Sequence, residues 1–199
     1  MKTTFRVTDL DSMLWFLKLE NMTVDDMRKR LTHTEPPNEK MAIGTAWHSI
    51  LEDPPDSISE IEKNGITFRI ECEYGVILPQ VREIRAEAVY HIGHDEITLS
   101  GGCDGISGNI ITDHKLTFRE NLDTYFESYQ WRSYLDIFNA DIFKYYLYCA
   151  KQKNGIVIIT GISELTMYRY PELKDDVIKG IRDLLIFVNE YIPEFRSMA

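Results

Sequence analysis

The stretch SGGCDGISGNIITDHK, residues 100–115, decides the fold and carries an aspartate on each side of a turn. The glycine and asparagine at 108–109 favour a two-residue hairpin loop of type II′. That loop places Asp104 opposite Asp113, with β-carbons about 5 Å apart, and strand alternation returns Lys115 to the same face. Because facing carboxylates repel each other, we expect a cation between them, and a divalent metal ion is the simplest candidate.

The arrangement of these side chains depends on the register of the hairpin. A loop of three residues would pair Asp104 with Thr112 and would turn Asp113 to the opposite face of the sheet. An ordinary hairpin would instead leave both aspartates facing water. The segment alone is compatible with each of these alternatives, so the rest of the chain has to be considered.

The composition indicates a folded protein and excludes some classes of function. The chain has 199 residues, of which 44% are hydrophobic, and we expect one domain over residues 1–199 with a sizeable core. The formal net charge of −10 argues against a protein that binds polyanions over its whole surface. It is compatible with a nucleic-acid enzyme, because a metal site uses carboxylates and the basic groups can be local.

Neither a membrane segment nor a disulfide framework is indicated. No stretch is long and apolar enough to span a bilayer, and the first residues, MKTTFRVTDLDSM, lack the apolar part of a signal peptide. We therefore expect a cytosolic protein with no membrane partner. The three cysteines, Cys72, Cys103 and Cys149, are scattered and odd in number, which predicts neither a set of disulfides nor a metal clip.

Apolar periodicity and turn residues predict groups of helices and strands. Capping boxes at Thr8/Asp11 and Thr23/Asp26 open two short helices, and a third helix covers residues 41–51. The remaining elements are predicted in the order strands 66–74, 82–92, 96–106 and 109–115, helix 122–138, strands 141–150 and 155–162, and a last helix that starts at Pro171. This order predicts an α/β or α+β fold with helices packed on a sheet.

Three short motifs fall on a helix, the hairpin and a second helix: Gly44-x-x-x-His48, Asp104 followed by Asp113-His114-Lys115, and Gln130-x-x-x-Tyr134. Together they resemble the PD-(D/E)xK nuclease superfamily, in motif layout its RecB-like members and phage recombination exonucleases. The resemblance covers roughly residues 40 to 140. It implies an α/β, restriction-endonuclease-like core in which a central mixed β-sheet is flanked by helices.

The resemblance implies a role for each residue of the hairpin. Asp104 and Asp113 would hold Mg²⁺ or Mn²⁺, with the main-chain carbonyl of His114 and the imidazole of His48 as further ligands. Lys115 would orient or deprotonate the attacking water and stabilise negative charge on the phosphate. We therefore predict Asp104, Asp113 and Lys115 as the catalytic residues. Without the hairpin motif, His48 would be interpreted as a packed or solvent-facing histidine.

The residues that follow the hairpin are candidates for contact with DNA. Gln130 and Tyr134 lie one helical turn apart and would contact the DNA backbone or hold the site together, unless they are ordinary surface and core residues of a helix. A local basic rim would consist of Arg82, Arg85, Lys115, Arg119 and Arg132, of which we assign Arg119 and Arg132 to substrate binding. Glu87, in the preceding strand, would support a second metal ion or a basic side chain.

The function that the resemblance implies is metal-dependent hydrolysis of DNA from its ends, in the cytosol of a bacterium or of a phage-infected host. DNA recombination or repair would be the setting, and a helicase, a single-strand-binding protein, an annealing protein or further copies of the chain would be partners. The alternatives are a structure-dependent or nicking endonuclease and a catalytically silent protein that binds DNA or protein. Some relatives bind an iron–sulfur cluster through four cysteines, and no cluster is expected with three scattered ones.

Overall fold

The structure, a computed structural model, describes residues 1–19, 21–36, 38–54, 59–73, 79–119 and 121–197. The strands in these ranges are Lys2–Arg6 (β1), Glu60–Lys63 (β2), Ile66–Ile70 (β3), Val81–Ile92 (β4), Asp95–Ser107 (β5), Ile110–Thr117 (β6), Ile142–Lys153 (β7) and Ile156–Tyr168 (β8). The helices are Val7–Lys18 (α1), Val24–Leu31 (α2), Glu39–Leu51 (α3), Leu122–Glu127 (α4), Tyr129–Ile137 (α5) and Leu173–Tyr191 (α6), followed by a 3-10 helix at Pro193–Ser197. Of the helices in these ranges, none is long and apolar enough to cross a membrane.

The strands form one mixed sheet in the order β1-β5-β6-β7-β8-β3-β2, and β4 also pairs with β5. The pairs β1/β5, β6/β7 and β3/β8 are parallel, while the pairs β4/β5, β5/β6, β7/β8 and β2/β3 are antiparallel. This arrangement confirms the predicted α/β class, with a central mixed sheet flanked by helices.

On one edge of β5, a short interval lies between the stretches that pair with two other strands, and a side chain from a helix contacts this interval. β4 covers one edge of β5 along almost its whole length, so β1 and β6 share the other edge. On that edge β1 pairs with β5 as far as Ser100, and β6 pairs with it from Gly105 onwards. The interval between them, residues 101–104, has no strand partner on this side, and Asp104 lies at its end.

Each face of the sheet packs against its own hydrophobic core. One core lies under α1, α2, α5 and α6 and contains Tyr145 and Leu147 of β7. The other lies under α3, around Trp47, and contains Tyr146 and Tyr148 of the same strand. β7 is buried on both faces because it is central, which explains its almost continuous apolar and aromatic sequence. The helices α3 and α5 therefore approach the β5/β6 hairpin from opposite faces of the sheet.

The two-residue loop of the hairpin is confirmed. The recorded pairs run from Ser107 with Ile110 to Gly105 with Thr112. Gly108 has a φ of 60°, the left-handed conformation that the first residue of a type II′ turn requires and that glycine adopts readily. The alternative with a three-residue loop is therefore excluded, and the register continues towards a facing pair of aspartates.

The capping box of α1 lies two residues before the predicted one. The Arg6 amide donates to Asp9 Oδ2 at 2.8 Å, and the Arg6 guanidinium forms an ion pair with Asp9 Oδ1 at 2.8 Å. Arginine is not among the usual capping residues, so the local pattern pointed to the threonine that follows it. The other predicted box is confirmed, because Thr23 and Asp26 exchange hydrogen bonds at the start of α2.

Two further elements are shorter than predicted. The helix predicted over 122–138 is divided into α4 and α5 at Ser128, whose backbone is extended, with φ −53° and ψ 139°. The Ser128 hydroxyl accepts a hydrogen bond from the Gln130 amide at 3.0 Å and so caps α5. The strand predicted over 66–74 ends at Ile70, and residue 74 lies outside the described ranges.

Candidate active site

The first carboxylate of the site, Asp104, sits where β5 and β6 stop pairing. Its Oδ2 atom accepts a hydrogen bond from the His114 main-chain amide at 2.6 Å. The carboxylate thus replaces the main-chain carbonyl that would bind this amide in a continued ladder. Asp104 is mostly buried, with 18% of its side chain exposed, so it does not face bulk water as it would in an ordinary surface hairpin.

The second carboxylate, Asp113, is held from two sides within the sheet. Its Oδ1 atom accepts a hydrogen bond from Gln130 Nε2 at 3.1 Å. Its Oδ2 atom lies 2.8 Å from Lys115 Nζ, so the two groups form an ion pair. Asp113 is 2% exposed. One oxygen of this buried carboxylate thus faces an amide donor and the other faces a cation.

The surroundings of Asp104 and of Lys115 shift the pKa values of these two groups. Burial raises the pKa of Asp104 to about 7, and the charge of Asp113 adds to this, while Lys115 and the His114 amide act in the opposite direction. Burial opposes the charge on Lys115, but Asp113 and Asp104 outweigh it and raise the pKa of the lysine above its usual value. Lys115 is therefore a cation at neutral pH in the protein without metal.

His48, on α3, faces Asp104 as predicted. Its Nδ1 atom lies 3.7 Å from Asp104 Oδ2. Burial lowers the pKa of His48, and Lys115 lowers it further, while Asp113 and Glu83 oppose the shift. The imidazole is therefore neutral at pH 7, which is the form that binds metal ions. It borders a cavity of about 350 Å³ that is also lined by Asp104, Glu83 and Arg82, and we call this space the Asp104 cavity.

The ring of His114 and its main-chain carbonyl have different neighbours. Its ring belongs to the face under α3, where Nδ1 lies 3.1 Å from the Tyr148 hydroxyl and the ring stacks on Tyr146. Burial lowers the pKa of this ring to about 4, so it is neutral. Its main-chain carbonyl favours the protonated form of His48 and therefore lies beside that ring. The carbonyl of His114 therefore has a position compatible with the predicted role of metal ligand.

Tyr134, on α5, fills the pairing gap of β5. Its hydroxyl donates to the Gly102 carbonyl at 2.6 Å, within the interval that neither β1 nor β6 pairs. A side chain at Gly101 would place its β-carbon 2.5 Å from the Tyr134 ring, so the close approach requires glycine there. Tyr134 is 3% exposed and Gln130 is 8% exposed. Of the two roles predicted for this pair, the contacts match the one in which they hold the site together.

The two arginines assigned to substrate binding differ in their surroundings. Arg132 Nη1 donates to the carbonyls of Phe126, Glu127 and Ser128 at 3.2, 2.9 and 2.8 Å, and the guanidinium lies over the Trp131 ring. Its Nη1 donors thus satisfy carbonyls at the end of α4, and the substrate role of Arg132 stays a prediction. Arg119 is exposed just beyond β6, and it does not line the Asp104 cavity.

Glu83 was missed by the sequence analysis, which named Glu87 instead. It lies between Arg82, which pairs with Gly105, and Ile84, which pairs with Cys103, and is therefore opposite Asp104. Its φ is 52°, an uncommon value for a non-glycine residue within a strand. Because Glu83 lies opposite Asp104, strand pairing places the two side chains on the same face of the sheet. No feature of the sequence predicts the left-handed backbone of Glu83.

Asp11 is a second residue that the sequence analysis did not assign to the site. It accepts hydrogen bonds from the Ser128 hydroxyl at 2.7 Å and from the Tyr129 amide at 2.6 Å, at the start of α5. Burial raises the pKa of Asp11, although these hydrogen bonds oppose the shift. Through these contacts α1 fixes the start of the helix that carries Gln130 and Tyr134.

The donors at this site fit a divalent metal ion in their chemistry. Within the described ranges, no group of three or more His, Cys, Asp or Glu side chains is arranged to bind a metal ion. However, burial raises the pKa of Asp104 to about 7, and the charge of the nearby Asp113 adds to this shift. Two carboxylates and a neutral imidazole are ligands that Mg²⁺ or Mn²⁺ accept, and a cation there would relieve the repulsion.

Comparison with known proteins shows the fold of the chain. No protein-family model and no curated protein matches it. Its fold is similar to that in the crystal structure of SSO0001, with a TM-score of 0.55 and 14% identity over 96% of this chain and 80% of that chain. An alkaline exonuclease from Laribacter hongkongensis gives a TM-score of 0.47 at 13% identity, covering 98% of this chain and 91% of that one. A phage-related exonuclease from Haemophilus somnus 129PT gives 0.47 at 14%, covering 98% and 96%.

Proposed function

We propose that this protein is a metal-dependent deoxyribonuclease that hydrolyses phosphodiester bonds, acting from DNA ends. The observation that carries the proposal is the buried pair of carboxylates on the β5/β6 hairpin, with Lys115 beside Asp113 and His48 beside Asp104. A protein that only binds DNA or another protein has no need to bury two facing acids and a lysine, which is costly to stability.

The metal would be held by Asp104, Asp113, His48 and the main-chain carbonyl of His114. When bound, Mg²⁺ or Mn²⁺ would neutralise charge on the phosphate and make water more acidic. Gln130 fixes one oxygen of Asp113, which leaves the other directed towards Lys115. Tyr134 fixes the strand that carries Asp104, so both carboxylates are supported by the same helix.

Lys115 contributes as a cation. Because both aspartates keep it protonated, its ammonium group would stabilise the negative charge that develops on the phosphate and would orient the attacking water. Of the two roles predicted from the sequence, the raised pKa of Lys115 favours orienting the water over removing its proton.

The test is digestion of end-labelled linear duplex, single-stranded and closed circular DNA with Mg²⁺, Mn²⁺ or EDTA. We expect metal-dependent loss of the linear substrates, reduced about 10²- to 10³-fold by Lys115→Ala. Lys144→Ala is the matched control, because this lysine of β7 is ion-paired with Glu164 of β8, and its strand neighbours Phe143 and Tyr145 face the core under α1, α2, α5 and α6. Cleavage of the circle would change the proposal to an endonuclease, and no cleavage with either metal would refute it.

A further inference from the structure

Two arginines on β4 lie on either side of the position where Glu83 faces Asp104. Arg82 lines the Asp104 cavity. Arg85 lines a second space of about 600 Å³, which we call the β4 groove and whose floor includes Gly101 and Gly102. Glu83 borders both spaces, so the cavity and the groove adjoin at the site.

The Arg85 guanidinium is available to bind an external group. Arg85 is exposed, and among the residues that the structure describes no hydrogen bond or ion pair holds its guanidinium. Its stem lies over Gly102, where an added β-carbon would come within 3.2 Å of Arg85 Cγ. The absence of a side chain at Gly102 thus gives the arginine its place along the groove.

One nitrogen of the Arg82 guanidinium is held by a hydrogen bond within the protein. Its Nη1 atom donates to the Glu52 carbonyl at 2.6 Å, at the end of the helix that carries His48. The other guanidinium nitrogens have no recorded partner in the described ranges, and the residue is exposed. By contrast, Arg6 also borders the β4 groove but is held by Asp9 and the Leu31 carbonyl.

The charge around the site makes these two cations important for a polyanion. The cavity contains Asp104 and Glu83, and the chain as a whole has a formal net charge of −10. Lys115 is ion-paired with Asp113, so its positive charge is already balanced by that carboxylate. A phosphate chain approaching this surface therefore needs cations that are not used within the protein, and Arg82 and Arg85 supply them on both sides of Asp104.

We propose that Arg82 and Arg85 bind backbone phosphates of one polynucleotide strand on opposite sides of the bond that is cut. Because Arg82 and Arg85 are three residues apart on β4, their side chains leave opposite faces of the sheet, the cavity lying on the α3 side and the groove on the α5 side. The strand would therefore pass around the edge of the sheet at β4, beside the Glu83–Asp104 pair, from the cavity into the groove. Three residues of β-strand span about 10 Å, so the two arginines would engage different phosphates, and a mononucleotide would engage only one. This inference rests on the proposed function and specifies how the substrate lies in the site.

The experiment measures binding of labelled oligonucleotides to protein carrying Lys115→Ala, so that the substrate is not consumed. The variants Arg82→Gln, Arg85→Gln and their combination are compared over a range of salt concentrations. Arg69→Gln is the matched control, because Arg69 is exposed on β3 at the other end of the sheet and is paired with Glu60. We expect each β4 variant to weaken binding equally for all sequences and to reduce the salt slope by about 1, with the control unchanged.

Two further measurements distinguish the possible reasons for weak binding. Arg85→Lys keeps the charge and should restore the salt slope, whereas a variant that binds weakly because it is misfolded would not be rescued. Competition with a mononucleotide should be affected by at most one of the two substitutions. Normal affinity and salt slope in both β4 variants would overturn this inference alone. Failure of the unsubstituted protein to bind or cut any nucleic acid would overturn the proposed function and this inference together.

Discussion

Tyr134→Phe tests whether the hydroxyl that fills the gap in β5 holds the site in place. The substitution keeps the ring, which packs against Gly101 and stacks on Phe143, and removes the hydrogen bond to the Gly102 carbonyl. Burial raises the pKa of Tyr134 to about 12, so the hydroxyl is protonated and donates at every pH at which the protein would be assayed. The effect should therefore not depend on pH between 6 and about 9.

The magnitude follows from the partial burial of this hydrogen bond, because Tyr134 is buried and Gly102 is exposed. Water can replace the lost donor at the exposed Gly102 carbonyl, so the expected cost is that of a typical hydrogen bond, about 0.5–1.5 kcal/mol. For a chain of this size each kcal/mol lowers Tm by about 2–4 °C, so we expect a decrease of about 1–6 °C. Because Gly102 is two residues from Asp104, the loosened strand should also lower kcat for DNA cleavage.

Thermal and urea unfolding followed by circular dichroism would measure the change, with Tyr168→Phe as the control. Tyr168 is 64% exposed, and loss of its hydroxyl should change the free energy of unfolding by less than about 0.5 kcal/mol. A Tyr134→Phe protein as stable and as active as this control would contradict the argument. It would mean that the Gly102 carbonyl is satisfied without the tyrosine and that the gap in β5 does not need it.

Three further predictions concern the charges in and around the site. Asp104→Asn should abolish cleavage. Because it removes one of two buried like charges, it should also raise the free energy of unfolding of the metal-free protein by up to about 2 kcal/mol. A lower free energy of unfolding in urea would contradict this. Arg132→Gln should lower that free energy by about 1–3 kcal/mol and leave KM for DNA unchanged, so an increase in KM alone would support the substrate role. Hydrogen bonds from Thr23 lower the pKa of Asp26 below 3.8, so its contribution to stability is complete above that pH and is lost as the pH falls through the lower value. Thr23→Val should return the Asp26 pKa towards 3.8 in an NMR titration, and an unchanged pKa would refute this cause.

The sequence was sufficient wherever the determining interactions are local. The turn at Gly108 sets the register of β5 and β6 within two residues, and alternation along β6 then places Asp113 and Lys115 on one face. The box of Thr23 and Asp26 is equally local, and it was predicted correctly. The α/β class followed from the order of periodic segments, because each segment must bury one face against a sheet or a helix.

The sequence is less informative where a side chain acts through a contact that leaves no periodic pattern. Arg132 was predicted to bind DNA, and in the structure its Nη1 atom donates to carbonyls at the end of α4. Ser128 interrupts a pattern that is helical on both sides, because its hydroxyl donates to Asp11 and accepts from the Gln130 amide, while the Tyr129 amide also donates to Asp11. The contacts of Asp11 with Ser128 and Tyr129 join residues more than a hundred positions apart, so no local pattern predicts them.

The sequence by itself determined the hairpin and the residues of the acid pair, since turn geometry and side-chain alternation act over a few residues. The strands β1 and β2, at the two ends of the sheet order, were not predicted. Only the tertiary structure decided that α3 brings His48 to Asp104, that Tyr134 occupies the gap between β1 and β6, and that Glu83 turns towards the cavity. The physical reason is that these placements depend on how two helices and three strands pack around one hairpin. No single segment contains that information, because burial and pairing are properties of the assembled sheet.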